Sequence, residues 1–235
     1  DADELGFVGG VSFFLGNAWL HKSVKTQVGR PAFLRGGPFA NIAHGNSSII
    51  ADSLALACAD YVVTEAGFGA EMGAEKALQI KSRASGKVPD CVVLNVTVRA
   101  MKLHGGGFST GGGKRPPADE LKVENVEATR AGAASNLRRH VRNLSETGIP
   151  LIVSINRFEA DTDAEIEAIR LEAVAVGARD VVIFEAHAKG GEGSAALADS
   201  VVEACAAHAA AGRPYSPMVE AGLPAEQTIL KVATN

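Results

Sequence analysis

No two of the three cysteines, Cys58, Cys91 and Cys205, stand at CxxC spacing in this 235-residue chain. Neither a zinc site nor a disulfide framework is therefore signalled, and a reducing cytosol is the expected compartment. Positive charge is not in excess: 23 Lys and Arg against 27 Asp and Glu leave a net charge of −4, with a pI near 5.9. That leaves no basic stripe for nucleic acid and no attraction to an anionic membrane surface. No apolar run reaches membrane length, and no charged segment leads into a short apolar one as in a signal peptide. The opening Asp-Ala-Asp-Glu-Leu-Gly lacks both a methionine and the features of a transit peptide, and reads as cut from something longer. Nothing recurs at a fixed repeat period. The standard nucleotide loops are missing as well. No G-x-x-x-x-G-K-[ST] occurs, and Gly111-Gly-Gly-Lys114 runs into Arg115-Pro116 without the hydroxyl for magnesium or the helix behind it. No G-x-G-x-x-G opens a helix after a strand.

What is present is 46% hydrophobic residues, enough to core one large or two small α/β domains. Short continuous Val, Ile and Leu runs suit strands buried on both faces of a parallel sheet. Five are expected: Ala32–Leu34, Tyr61–Thr64, Cys91–Val98, Pro150–Ile155 and Val181–Phe184. Helical periodicity occupies Ser47–Ala59, Ala70–Ser85, Asn125–Thr147, Asp163–Val176 and Gly193–Ala210, with a last short helix over Ala225–Ala233. The alternation predicts an α/β fold with an open, mostly parallel sheet, helices on both faces and two α/β lobes. Within Asp161-Thr-Asp-Ala-Glu165, Thr162 or Asp161 can cap a helix. The stretch His104–Ala118 holds too much glycine and proline for a packed element and marks a mobile loop or a boundary.

Chemistry concentrates in two glycine-rich loops, Arg35-Gly-Gly-Pro-Phe-Ala-Asn-Ile-Ala-His-Gly45 and Glu65-Ala-Gly-Phe-Gly-Ala-Glu71. Glycine lets backbone approach a ligand without steric cost, and Asn41, His44, Glu65 and Glu71 add polar groups. In open parallel sheets ligands bind beyond the carboxyl ends of the strands, and every expected strand exit here is polar or glycine-rich. His44 suits an acid, a base, a ligand or a structural hydrogen bond. Phe68 between two glycines has little local core to join unless it is a buried anchor of its loop, and Phe158 among charged residues is either a loop anchor or a face for a planar ligand. Lys189, ahead of a helix start that disfavours a cation, is either solvated or in want of an anion. Glu71 and Glu75, at helical spacing with no histidine, read as a solvated face rather than a metal pair.

The segments Gly36–Asp52 (Gly-Gly-Pro-Phe-Ala-Asn-Ile-Ala-His-Gly-Asn-Ser-Ser-Ile-Ile-Ala-Asp) and Tyr61–Glu71 closely resemble the formate–tetrahydrofolate ligase family. Val98–Gly106, Ile155–Phe158 with Asp161–Glu165, and Ala188–Gly193 extend the resemblance in order over nearly the whole chain. The family chain is more than twice as long, so this looks like its middle, with the phosphate-binding loop and a C-terminal part outside it. The resemblance implies ATP-dependent joining of formate to tetrahydrofolate through formyl phosphate, giving 10-formyltetrahydrofolate, ADP and phosphate. It implies a homo-oligomer, magnesium arriving with ATP, and room for a monovalent cation. Residues 1–114 would belong to a nucleotide and formyl phosphate domain and 115–235 to a second α/β domain carrying folate. Carried over by motif, Glu65, Phe68, Gly69 and His44 are the catalytic candidates, and Gly36, Gly37 and Gly67 the phosphate-binding ones. Phe158, His187 and Lys189 are the folate candidates, Phe158 forming one wall of an aromatic clamp on the pterin. Two departures stand out. His187 occupies the place of the family's usual tryptophan, and Arg35 that of a histidine or small residue. A non-catalytic folate-binding or assembly subunit, and a diverged paralogue accepting another acid or planar substrate, are the alternative expectations.

Overall fold

The chain was analysed as a computed structural model, which describes residues 21–26, 29–35, 48–106, 116–117 and 119–234. It divides into two compact units, one ending at Lys87 and the other beginning at Val88.

In the first unit β1 (His21–Lys25) and β2 (Pro31–Arg35) form an antiparallel pair, Lys25 facing Pro31. The turn between them is closed by Thr26, whose amide donates to the Arg30 carbonyl at 2.9 Å and whose hydroxyl accepts from the Arg30 amide at 3.1 Å. The expected parallel strand at Ala32–Leu34 is therefore half of a hairpin. Ser48 opens α1 (Ile49–Cys58), its hydroxyl accepting from the amides of Ile50 and Ala51. The expected strand Tyr61–Thr64 is irregular chain without a strand partner among the described residues, and Val63 is 93% exposed. High β-propensity yields a strand only where a neighbour takes up its backbone groups. A continuous helix α2 follows, made of α-helical Gly73–Glu75, π-helical Lys76–Lys81 and α-helical Ser82–Ser85. It stops at left-handed Gly86, a conformation glycine adopts freely. Lys81 ties it to α1 through Asp52 at 2.9 Å, and Lys87 does so through Ser53 at 2.8 Å.

The second unit is built on a parallel sheet in the order β3 (Val92–Val96), β4 (Leu151–Asn156), β5 (Asp180–Phe184). Leu151 to Ile155 are all buried, as expected of a strand flanked by two others and covered on both faces. The expected strand at Cys91–Val98 is shorter, because Thr97 caps a new helix, α3 (Val98–Gly105), by accepting from the Ala100 amide. The long helix α4 runs through Val126–Gly132, π-helical Ala133–Leu137 and Arg138–Ser145. Then come α5 (Asp163–Ala175), the one-turn α6 (Ala186–Lys189), α7 (Ala195–Ala210) and α8 (Ala225–Thr234). Side chains alternate across a sheet. Ile155, Val181 and Ile183 share a hollow with Ile166 of α5, while Asp180, one position out of phase, accepts from Ser200 of α7 at 2.5 Å. Helices thus cover both faces, as the alternation of strands and helices predicts. No helix among the described residues is long and apolar enough to cross a membrane.

Two contacts lock the helices. Gly105 of α3 and Gly132 of α4 meet backbone to backbone: a Cβ at Gly132 would lie 1.8 Å from the Met101 carbonyl oxygen, and one at Gly105 as near that of Ala128. Lys102 and Glu165, both fully buried, pair at 2.6 Å. The ammonium also donates to the carbonyls of Leu121 and Val123, and the carboxylate accepts from the amides of Asn125 and Thr162.

Burial first, and then the neighbouring Cys205, push the Cys91 thiol up to about 12, whereas Cys58 is exposed. Iodoacetamide at about pH 8 is therefore expected to label Cys58 well before Cys91. Equal labelling, read by peptide mass mapping, would contradict this packing.

Candidate functional site

In the first unit the loop ahead of α2 is a tight, strained turn. The Gly69 carbonyl accepts from the amides of Met72 at 3.0 Å and Gly73 at 2.8 Å. A Cβ at Gly73 would stand 1.9 Å from the Gly67 carbonyl oxygen, so the turn closes only on glycine. Phe68 has φ 71°, the left-handed region that a bulky side chain rarely occupies, and its ring is 55% exposed. Such an outlier costs on the order of 1–3 kcal/mol and is characteristic of functional loops. The Lys76 ammonium lies 5.5 Å from the Phe68 ring centroid. Glu65 and Gly69 are exposed and Gly67 is buried. Burial, and then the charge of Glu71, raise the Glu75 carboxyl above its ordinary value. The expected residues Glu65, Gly67, Phe68 and Gly69 thus lie together on one glycine-rich turn. Gly36, Gly37 and His44 lie outside the described residues.

In the second unit the carboxyl ends of the strands gather a different set. Phe158 follows β4 and His187 lies on α6 after β5, their ring centroids 6.4 Å apart and their planes tilted by 46°. Phe158 is fixed by Asp161, whose carboxylate accepts from the Phe158 amide at 2.8 Å while its own amide donates back to the Phe158 carbonyl at 3.0 Å. That settles the choice of cap for α5. Thr162 accepts from the Glu165 amide and Glu165 reaches back to the Thr162 amide, leaving Asp161 to hold the turn. Arg99, in the first turn of α3, places its guanidinium carbon 4.9 Å from the Phe158 ring centroid. Its Nε, and the Asn156 Oδ1 at the end of β4, are buried with no hydrogen-bond partner. Leaving a buried polar atom without a partner costs about 1–3 kcal/mol.

Lys189 departs from its expected setting. It closes α6 rather than facing a helix start, the end that favours a cation, and Glu185 takes its charge at 2.6 Å. No conflict remains for an anion to relieve. Phe158 and His187 are brought together, with Lys189 two residues further on in the same short helix.

Sequence reasoning missed Arg99 and Asp161 as parts of this site. For Arg99 the signal was Thr97, a capping residue that starts a helix where a strand exit was expected. For Asp161 it was the competition of two capping residues for one helix, which Thr162 wins. An open hollow of about 260 Å³ on the α5 face, lined by Ile155, Ile166, Val181 and Ile183, carries no such chemistry. The charges on its rim include Glu167 and Arg170, which are paired with each other at 2.6 Å.

The family model described as formate–tetrahydrofolate ligase matches residues 1–235. Among curated proteins of that name, the one from Desulforamulus reducens is 46% identical over 204 residues, which is 87% of this chain and 36% of the relative. The one from Symbiobacterium thermophilum is 47% identical over 203 residues, covering 86% and 34%. That of Vibrio cholerae is 41% identical over 232 residues, covering 98% and 39%. The chain thus spans rather more than a third of the length of the curated relatives it matches.

Proposed function

Because the chain belongs to the formate–tetrahydrofolate ligase family, we propose that it carries the central part of an enzyme joining formate to tetrahydrofolate at the expense of ATP. In the first step a formate oxygen attacks the γ-phosphorus of magnesium-bound ATP and ADP leaves, giving formyl phosphate. In the second, an amine nitrogen of tetrahydrofolate attacks the formyl carbon and phosphate departs, giving 10-formyltetrahydrofolate. The Glu65–Gly69 turn lines the formyl phosphate, its glycines admitting the anion close to backbone amides and the exposed Phe68 ring screening it from water. A domain boundary after residue 114 and a homo-oligomeric assembly belong to the same proposal.

The observation that carries the reading is the pair of rings, Phe158 and His187, at the carboxyl ends of β4 and β5. A planar heterocycle between two rings needs about 3.5 Å on each side, so the 6.4 Å pair opens slightly and flattens around a pterin. Calorimetric titration of the chain with tetrahydrofolate tests this. Phe158→Ala should weaken binding by about 1–3 kcal/mol, the scale of one base-like ring stacked on an aromatic side chain. An unchanged affinity would remove Phe158 from the site. His187, smaller than an indole, favours a second reading in which the same rings take a different planar substrate. Tetrahydrofolate binding that appears only after His187→Trp would support that one instead.

A further inference from the structure

Arg99 differs from the carboxylate-paired arginines of the second unit. Arg138, Arg157, Arg170 and Arg213 each hold a carboxylate within 2.8 Å. Arg99 has no ion pair among the described residues, its Nε is buried without an acceptor, and its position in the first turn of α3 sets it against the helix dipole. The partner it does have is the Phe158 ring, 4.9 Å from guanidinium carbon to centroid and within the range of a cation–π contact. Both partners are held independently. Thr97 fixes the start of α3 through the Ala100 amide at 3.1 Å, and Asp161 fixes the Phe158 backbone at 2.8 Å.

We infer that Arg99 is a positioning and specificity residue of the pterin site, backing the Phe158 ring so that it prefers a reduced, electron-rich pterin. This rests on the pterin reading given above. With the guanidinium over one face, a planar ligand has the other. A cation draws the π density of the ring toward itself, leaving that other face less negative than in a free benzene ring. Stacking there favours a ring system rich in donated electron density, such as tetrahydropterin, over a fully oxidised pterin.

The test is calorimetry of the chain with tetrahydrofolate and with folic acid, comparing the unsubstituted protein, Arg99→Met, Arg99→Lys and Phe158→Ala, with far-UV circular dichroism to confirm folding. Arg99→Met is expected to weaken tetrahydrofolate binding about fivefold and folic acid binding by less. Arg99→Lys, which keeps the cation, should restore most of the preference. Should Arg99→Met not fold, Arg99→Gln replaces it in the same comparison. Equal weakening of both ligands, or none, overturns the inference. So does tighter binding, which would place the guanidinium on the face the ligand needs. If Phe158→Ala weakens binding and Arg99→Met does not, the pterin site stands and the role of Arg99 falls. If neither variant changes the affinity, or the folded chain binds neither ligand, both readings fall together.

Discussion

Glu165→Gln is expected to destabilise the second unit by about 3–5 kcal/mol, because it leaves the Lys102 ammonium buried and unpaired. Against a total stability of about 5–15 kcal/mol for a typical domain, that is enough to leave the protein barely folded. The carboxylate gathers four donors from three places in the chain: the Lys102 ammonium, the Asn125 amide, and the amide and hydroxyl of Thr162. Adding Lys102→Met removes the orphaned charge and should recover most of the loss. Urea denaturation followed by circular dichroism measures both variants, and a single-variant loss under about 1 kcal/mol would show that the pair is not buried in solution. The effect has a pH signature. Burial pushes the Glu165 carboxyl up, but the Asn125 amide, the Lys102 ammonium and the Thr162 amide outweigh it and hold it below its ordinary value. Its contribution is therefore complete above the ordinary glutamate range and disappears as pH falls through the lowered folded value. The gap between wild type and Glu165→Gln should close on acidification from that cause.

Gly132→Ala should lower stability by about 3 kcal/mol, although alanine is the better helix former by about 1 kcal/mol. The two effects have opposite signs, so the measurement decides between them. The added methyl would stand 1.8 Å from the Met101 carbonyl oxygen and 2.9 Å from the Gly105 nitrogen, both backbone atoms with no rotamer to yield. The helices must separate, and with them the end of α3 that follows Arg99. A melting temperature lowered by roughly 6–12 °C is the expected result. Gly191→Ala, with nothing within 4 Å of the added carbon, should change stability by less than about 0.5 kcal/mol. A rise in melting temperature for Gly132→Ala would mean that the crossing is looser than described.

The parts of the fold legible in the sequence are those where burial leaves a one-dimensional trace. The run at Pro150–Ile155 is apolar without interruption because β4 is covered on both faces and flanked on both edges, and the strand was found within a residue at each end. The Asp163 helix announced itself through Thr162 and Glu165, whose capping box the structure contains. Tyr61–Thr64 has the same composition as a core strand and lacks a partner among the described residues, because propensity reports what a residue tolerates and not whether a neighbour exists. Of the β1–β2 hairpin only the second strand could be read: His-Lys-Ser-Val-Lys is polar, and its exposed Lys22 to Lys25 leave no alternation to read. For the candidate site, the rings of Phe158 and His187 could be named from motif, and so could the Glu65–Gly69 turn. The contacts that place them could not. Arg99 against Phe158 and Phe158 beside His187 join segments whose proximity depends on strand order, which a linear pattern does not encode.

The order β3-β4-β5 also bears on how the second unit comes into being. Val92–Val96 must find Leu151–Asn156 across the whole of α3 and α4, and a parallel pair offers no hairpin to shorten the search. Closing so long a loop sacrifices chain entropy before a single ladder bond forms, so topology alone assigns this unit to the slower folders. The meeting of Gly105 with Gly132 joins far nearer segments. Once made, it draws the strand ahead of α3 and the strand behind α4 into one neighbourhood, so φ-values are expected to be higher at the helix crossing than in the sheet.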